Sequence, residues 1–376
     1  MEVLIVILAM GGITVPLSWL LKEEWQLLPV TITTAVVLFL FSPTSLILLF
    51  ITAFLSYYLM QKVEQKSMAV ITIVIQLLSL FLFFKLEYGY LLGIEANRIM
   101  PLGLSYYAFR QIHYAIEVYK GKVARHSLFH YLSYCFFLPT LLVGPINRFS
   151  PFLKDLKRRR WDSTLFAFGL ERILYGFFKV VVLGNYFFSI KLLQISDGMF
   201  MQGDWGEAYF NALSFAGNAY MQFSGYSDVA IGFACLIGFR VEENFNHPYR
   251  AENIVDFWNR WHMTLSNWCR DYVFYPFLSM TRSGRLSIIA SMIVLGSWHE
   301  LSLRYFLWAA IHAAAISIWH LYNRTKVFAV LSTFPLFQQW LGRLITLHFV
   351  MYSFVLIKED DLFEAFRIIQ KLVFLQ

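Results

Sequence analysis

The sequence predicts an all-α, polytopic integral membrane protein, and three observations carry that prediction. Hydrophobic residues make up 58% of the 376 and charged residues only 15%, with a mean hydropathy of +0.56, values that a soluble globular chain of this length does not sustain. Uncharged runs long enough to cross a bilayer recur along the chain. The charges gather in short loops between those runs, where they fix orientation and meet anionic lipid. The net charge of +7 therefore points to a membrane surface, and nothing in the sequence makes a case for nucleic-acid binding. Cys135, Cys235 and Cys269 lie far apart in apolar or aromatic surroundings without CxxC spacing. They read as small buried hydrophobes, indicating neither a disulfide framework nor a zinc site.

Taken in order, Val3 to Leu21 carries no charge and is closed by Lys22-Glu23-Glu24. It lacks a basic leader and a small-residue cleavage site, so it reads as a first membrane helix and not as a signal peptide. Trp25 to Gln61 is too long for one span and is interrupted at Ser42-Pro43, which predicts two helices with a tight break. Ser67 to Phe84 is a fourth span, followed by a polar connection from Lys85 to Arg98. Pro101 to Tyr114 mixes polar groups with aromatics at helical spacing, as a helix facing a protein interior or water-filled cavity does. Ser127 to Ile146 is apolar, but Pro139 and Gly144-Pro145 argue for a re-entrant segment or a helix ending inside the protein. Lys154, Lys157, Arg158, Arg159 and Arg160 form the strongest basic run, which the positive-inside bias places on the cytoplasmic side.

Ile173 to Leu193 is a further span carrying Lys179. Ala208 to Phe239 is mostly apolar with Asn211, Asn218, Gln222, Ser224 and Asp228 inside it, and an intramembrane Asp requires a partner or a cavity. A helix beginning near Ile254 would place Trp258, His262 and Ser266 on one face, with Asp256 and Arg260 as an i, i+4 pair beside it. The plain reading of that stretch is an interfacial helix with tryptophans at headgroup level. Leu286 to Trp298 is apolar, Tyr305 to Tyr322 spans with His312 and His320 in it, and Leu331 to Ile357 is one last long span. Without internal repeats or linkers, residues 1–376 read as a single membrane-embedded domain of about ten or eleven spans with re-entrant pieces.

Three histidines compete for a chemical role: His262, His299 and His312. His299 follows a thirteen-residue uncharged approach and precedes another apolar run, a position within the bilayer thickness where ionisable residues are functional by default. An imidazole held neutral there has the state a general base needs. A structural hydrogen-bonding role is the alternative for each of the three. No phosphate-binding glycine loop, HExxH or GxSxG motif supplies a rival mechanism. From the residues alone, an enzyme and a transporter running a path through Lys179, Asp228 and His299 stand level.

The motifs Gly144-Pro145-Ile146-Asn147-Arg148-Phe149, Phe223 to Gly232, Glu243-Asn244-Phe245-Asn246, Phe257 to Ser266, Arg270-Asp271-Tyr272 and Trp298-His299 occur in that order. Together they resemble the membrane-bound O-acyltransferase family, over a motif-bearing core of about 101–322. The likeness is to its bacterial branch of alginate and peptidoglycan O-acetyltransferase membrane proteins and teichoic acid D-alanyl transfer proteins. The resemblance implies membrane helices around a central funnel or tunnel, in the bacterial cytoplasmic (inner) membrane. It implies an acyl donor on the cytoplasmic side, acetyl-CoA or an acyl (D-alanyl) carrier protein, with no tightly bound cofactor and no metal. The acceptor would be a hydroxyl of an extracytoplasmic cell-envelope glycopolymer or of a periplasmic or surface partner protein. By motif, His299 and His262 are the catalytic candidates, and Arg148, Asp228, Asn259, Arg260, Ser266, Trp298 and Glu300 the substrate-binding ones. Arg148 and Arg260 would contact phosphate or carboxylate, with helix-end ion pairing as the alternative. Glu300 departs from the branch, which usually has glycine there; it would either favour a charged imidazole or face a polar loop. The Ser224-Gly225-Tyr226-Ser227-Asp228 run resembles the O-acetyl members, and Trp258 to Met263 the D-alanyl members; acetyl is favoured.

Overall fold

The computed structural model describes residues 2–85, 101–200 and 204–374, and every regular element among them is a helix. Five are long and apolar enough to cross a bilayer: Glu23–Phe41, Pro43–Lys62, Lys66–Lys85, Ser163–Met199 and Pro335–Lys358. The break expected at Ser42-Pro43 is present. The helix Leu28–Phe41 ends there, the Ser42 N–H bonding Leu38 O at 2.7 Å, and Pro43 opens the next helix at a position that needs no amide donor. The polar connection expected from Lys85 to Arg98 lies, beyond Lys85, outside the described residues.

The residues gather into two compact units, one made of Met1–Leu174 with Ser227–Glu242 and the other of Tyr175–Tyr226 with Glu243–Gln376. In the first, the helix Leu104–Tyr119 has the interior its mixed sequence called for. Arg110 is fully buried and donates to Tyr134 O and to the carbonyl and hydroxyl of Thr140, while Gln111 bonds Thr52 and Ser56. Phe149 meets Tyr114, Tyr131 and Tyr134 edge to face, Tyr134 meets Phe152 in the same way, and Tyr131 lies tilted on Tyr114. The stretch from Ser127 does not span as one helix: Leu128–Cys135 stops short, a single 3-10 turn follows at Leu138–Thr140, and Gly144 takes a positive φ of 140°. A side chain at Gly144 would strike Ala230 Cβ at 2.8 Å, so the irregular chain is covered by protein, as lipid depth demands.

In the second unit, Gly284–His299 and Leu303–Tyr322 pack closely because Gly296 brings its backbone against Tyr305 O; a Cβ there would lie 2.8 Å from that oxygen. The span expected from Ile173 to Leu193 is part of the longer Ser163–Met199 helix, which widens to i→i+5 bonding over Phe178–Lys191. The last span differs from expectation. It is the single helix Pro335–Lys358, starting four residues later than Leu331, because Pro335 takes the first helical position while Phe334 lies outside helical geometry (φ −116°, ψ 70°) and Leu331 ends the short preceding helix Lys326–Leu331. A further helix, Leu362–Phe374, follows it and packs on it.

Candidate active site

The single helix expected from Ile254 does not form. Ile254–Trp258 begins at Asn253, whose Oδ1 accepts from Asp256 N at 2.9 Å, but it stops at Asn259, and a second helix, Met263–Cys269, starts after His262. The interruption has a long-range cause. Asn246 N donates to Arg260 O at 2.9 Å and Met263 N donates to Asn244 O at 2.8 Å, so the 260–263 backbone is bonded to residues 244–246 as well as to its own helix. His262 sits at the reversal in the left-handed region, φ 44°. Trp258, His262 and Ser266 consequently do not share a face: Trp258 packs on Trp308 and His312, and Ser266 Oγ donates back to Trp261 O. The Asp256–Arg260 pair survives the break at 2.8 Å.

His262 is 1% exposed. Its Nδ1 lies 3.0 Å from Oδ1 of the fully buried Asn244, which also accepts from Thr264 Oγ1 at 2.9 Å. Phe223 meets the imidazole edge to face at 4.6 Å between centroids, and Trp298 at 5.4 Å. His262 lies outside the five spanning helices, and burial pushes its imidazole well below the usual histidine range, with the neighbouring charge of His299 acting in the same direction. Trp298 in turn meets His299 at 4.3 Å, so one indole touches both histidines. His299 itself is exposed, in contrast to the burial expected for it. The reason is its place on the final turn of Gly284–His299, where it stacks on Tyr305 at 5.7 Å while Glu300 leaves in extended backbone.

The remaining candidates divide. Glu300 accepts from Arg304 at 3.1 Å, and Arg304 also binds Asp360 and the Glu359 carbonyl, so the carboxylate is held in a helix-end network. Arg260 is bound to Asp256, and Asn259 caps a helix end in an exposed position, leaving neither committed to the histidines. Arg148 and Asp228 belong to the first unit. Arg148 precedes the helix Phe149–Arg158 in extended backbone, and Asp228 is buried against Arg172 at 2.5 Å, the partner its position called for. Two residues without an assigned role in the sequence reading prove central. Asn244 carried a signal only as part of a motif, and Trp308 carried none; its ring lies 6.3 Å from His299 and 4.7 Å from His312. His312 is fully buried and bonds Ser353 Oγ at 3.0 Å. Among the described residues no group of three or more His, Cys, Asp or Glu side chains is placed to hold a metal.

A neutral imidazole, an accessible imidazole and an indole joining them are parts suited to moving a proton beside a reacting hydroxyl. Over residues 24–354 the sequence matches the family described as MBOAT, membrane-bound O-acyltransferase family. It is 33% identical to a probable alginate O-acetylase, AlgI, of Pseudomonas aeruginosa over 276 residues, 72% of this chain and 51% of that protein. It is 30% identical to a peptidoglycan O-acetyltransferase of Helicobacter pylori, covering 73% of this chain and 57% of that one. A teichoic acid D-alanyltransferase of Bacillus subtilis is also 30% identical, over 69% of this chain and 68% of its own length. The chain spans about half the length of the alginate O-acetylases it matches.

Proposed function

This chain belongs to the membrane-bound O-acyltransferase family, and from that premise we propose that it moves an acyl group, acetyl in preference, from a cytoplasmic thioester to a hydroxyl of a cell-envelope glycopolymer or acyl-accepting partner protein outside the bacterial inner membrane. The observation that carries the reading is the joining of His262 and His299 through Trp298, which brings two distant motifs into one site. In the reaction, His299 Nε2 or Nδ1 takes the proton from the acceptor O–H as the oxygen attacks the thioester carbonyl. The tetrahedral intermediate collapses, the C–S bond breaks, and the imidazolium returns the proton to the thiolate. An ester and a free thiol result, with no acyl-enzyme required.

The exposure of His299 supports this assignment, since a base must reach an incoming hydroxyl. The two substrates are read as acetyl-CoA and a glycopolymer hydroxyl because the alginate O-acetylases share 33% or more identity with this chain. D-Alanyl transfer from a carrier protein is the second reading, favoured by the two-thirds coverage of the Bacillus relative. Residues 1–376 are taken as one functional domain, since a single family match runs over residues 24–354. Purified protein in liposomes, given labelled acetyl-CoA or D-alanyl carrier protein with glycopolymer acceptor, tests the proposal. Label in the polymer from acetyl-CoA alone supports acetyl transfer, and label from the carrier alone supports the second reading. Substrate crossing the membrane without a donor, and without acylated product, makes the protein a transporter.

A further inference from the structure

We infer that Asn244 is a positioning residue that sets the tautomer of His262, holding the hydrogen on Nδ1 and leaving Nε2 as the basic atom of the ring. A part for that basic atom in turnover rests on the acyl-transfer reading; the tautomer does not. The Thr264 backbone N–H can only donate, and it points at the Asn244 side chain at 3.4 Å. The Asn244 atom facing it is therefore the amide oxygen. Thr264 Oγ1 donates to the same oxygen at 2.9 Å, which makes the orientation consistent from two directions.

His262 Nδ1 faces that oxygen at 3.0 Å. An amide oxygen has no hydrogen to give, so the hydrogen of this contact belongs to Nδ1. A neutral imidazole carries one N–H, and with it placed on Nδ1, Nε2 holds a lone pair. That atom is buried and has no hydrogen-bond partner among the described residues. Burial in an aromatic surround of Phe223, Phe245 and Trp298 keeps the ring neutral, so the donor form at Nε2 is not populated. Asn244 fixes the ring in space as well as in charge. Its backbone carbonyl holds Met263 N at 2.8 Å while its side chain holds residues 262 and 264, and the left-handed backbone at His262 turns the imidazole back onto it. A side-chain oxygen that sets which imidazole nitrogen is basic acts through that imidazole and need not touch substrate.

The test is nitrogen-15 NMR of histidine-labelled full-length protein in lipid nanodiscs, the His262 signal being identified among nine histidines by its disappearance in His262→Gln. The expected result is a wild-type His262 with hydrogen on Nδ1. Asn244→Leu, which keeps bulk but removes the acceptor, should convert it to the Nε2–H form or a mixture. Asn244→Asp keeps the oxygen and adds charge, and should raise the His262 titration midpoint by roughly one pH unit or more, carrying the acid limb of turnover with it. A wild-type ring bearing its hydrogen on Nε2 overturns the inference, as does an unchanged tautomer in Asn244→Leu. If the leucine variant does not fold, the wild-type spectrum and the aspartate midpoint decide, and an unmoved midpoint overturns it. Should the tautomer behave as stated while no donor yields acylated product, the acyl-transfer reading falls and the positioning by Asn244 stands.

Discussion

Replacing His299 with alanine separates chemistry from folding, because the two candidate histidines have opposite surroundings. His299 is exposed and makes ring contacts with Trp298 and Tyr305. Such contacts are worth about 1 kcal/mol, so the variant should fold with little change in melting temperature. General-base catalysis contributes about a hundredfold to ten-thousandfold, which at about 1.36 kcal/mol per factor of ten is about 2.7 to 5.4 kcal/mol of barrier. His262→Ala should behave differently. It opens a cavity in a site that is 1% exposed and strips a partner from buried Asn244, a cost of about 2 to 4 kcal/mol in stability in addition to lost turnover. The assay is specific activity per folded molecule, with size exclusion and thermal melting run on wild type and both variants. A well-folded His299→Ala protein turning over near the normal rate would refute the assignment and pass the basic role to His262. A His299→Ala protein that loses folded material in proportion to activity would make the residue structural.

Asp228→Ala should destabilise the protein by about 2 to 3 kcal/mol, since it takes the 2.5 Å carboxylate partner from the partly buried Arg172. The Michaelis constant of the folded fraction should not move; a large rise with unchanged melting would return Asp228 to the substrate site. Lys157→Cys, in the basic run, should resist impermeant thiol reagents added outside intact cells, and ready labelling from outside would invert the topology. Stability should also depend on pH through His262. Its imidazole is held below the usual histidine range when folded, so protonation favours the unfolded chain; stability is full above about pH 6.5 and falls as pH drops from there toward the folded value. Melting curves of wild type and His262→Gln that run parallel from pH 7 to pH 5 would contradict this.

Much of the fold is legible along the chain because a bilayer imposes a local rule: a spanning segment must be apolar over its own length, whatever lies elsewhere. The helices Pro43–Lys62 and Lys66–Lys85 fall within a residue or two of where hydropathy and charge place them, and Pro139 with Gly144-Pro145 announces the irregular chain after Cys135. The order of the motifs was equally plain, and with it the family. What tertiary structure decided are the features whose cause lies far away in sequence. Helical periodicity drew one helix through Trp258, His262 and Ser266, since nothing local to it shows that Asn244 and Asn246 will bond the backbone of Arg260 and Met263 and reverse it. The charge of Asp228 demanded a partner, but only packing of the 227–242 segment beside Leu174's end of the chain made it Arg172. Glu300 was open between a histidine and a loop until Arg304, which also pairs with Asp360, met it. His299 was placed in the bilayer by its apolar approach, yet its exposure follows from where the helix ends and from Tyr305 standing beside it. Hydrophobicity is a property each segment carries alone, whereas a hydrogen bond or an ion pair exists only once two segments have met.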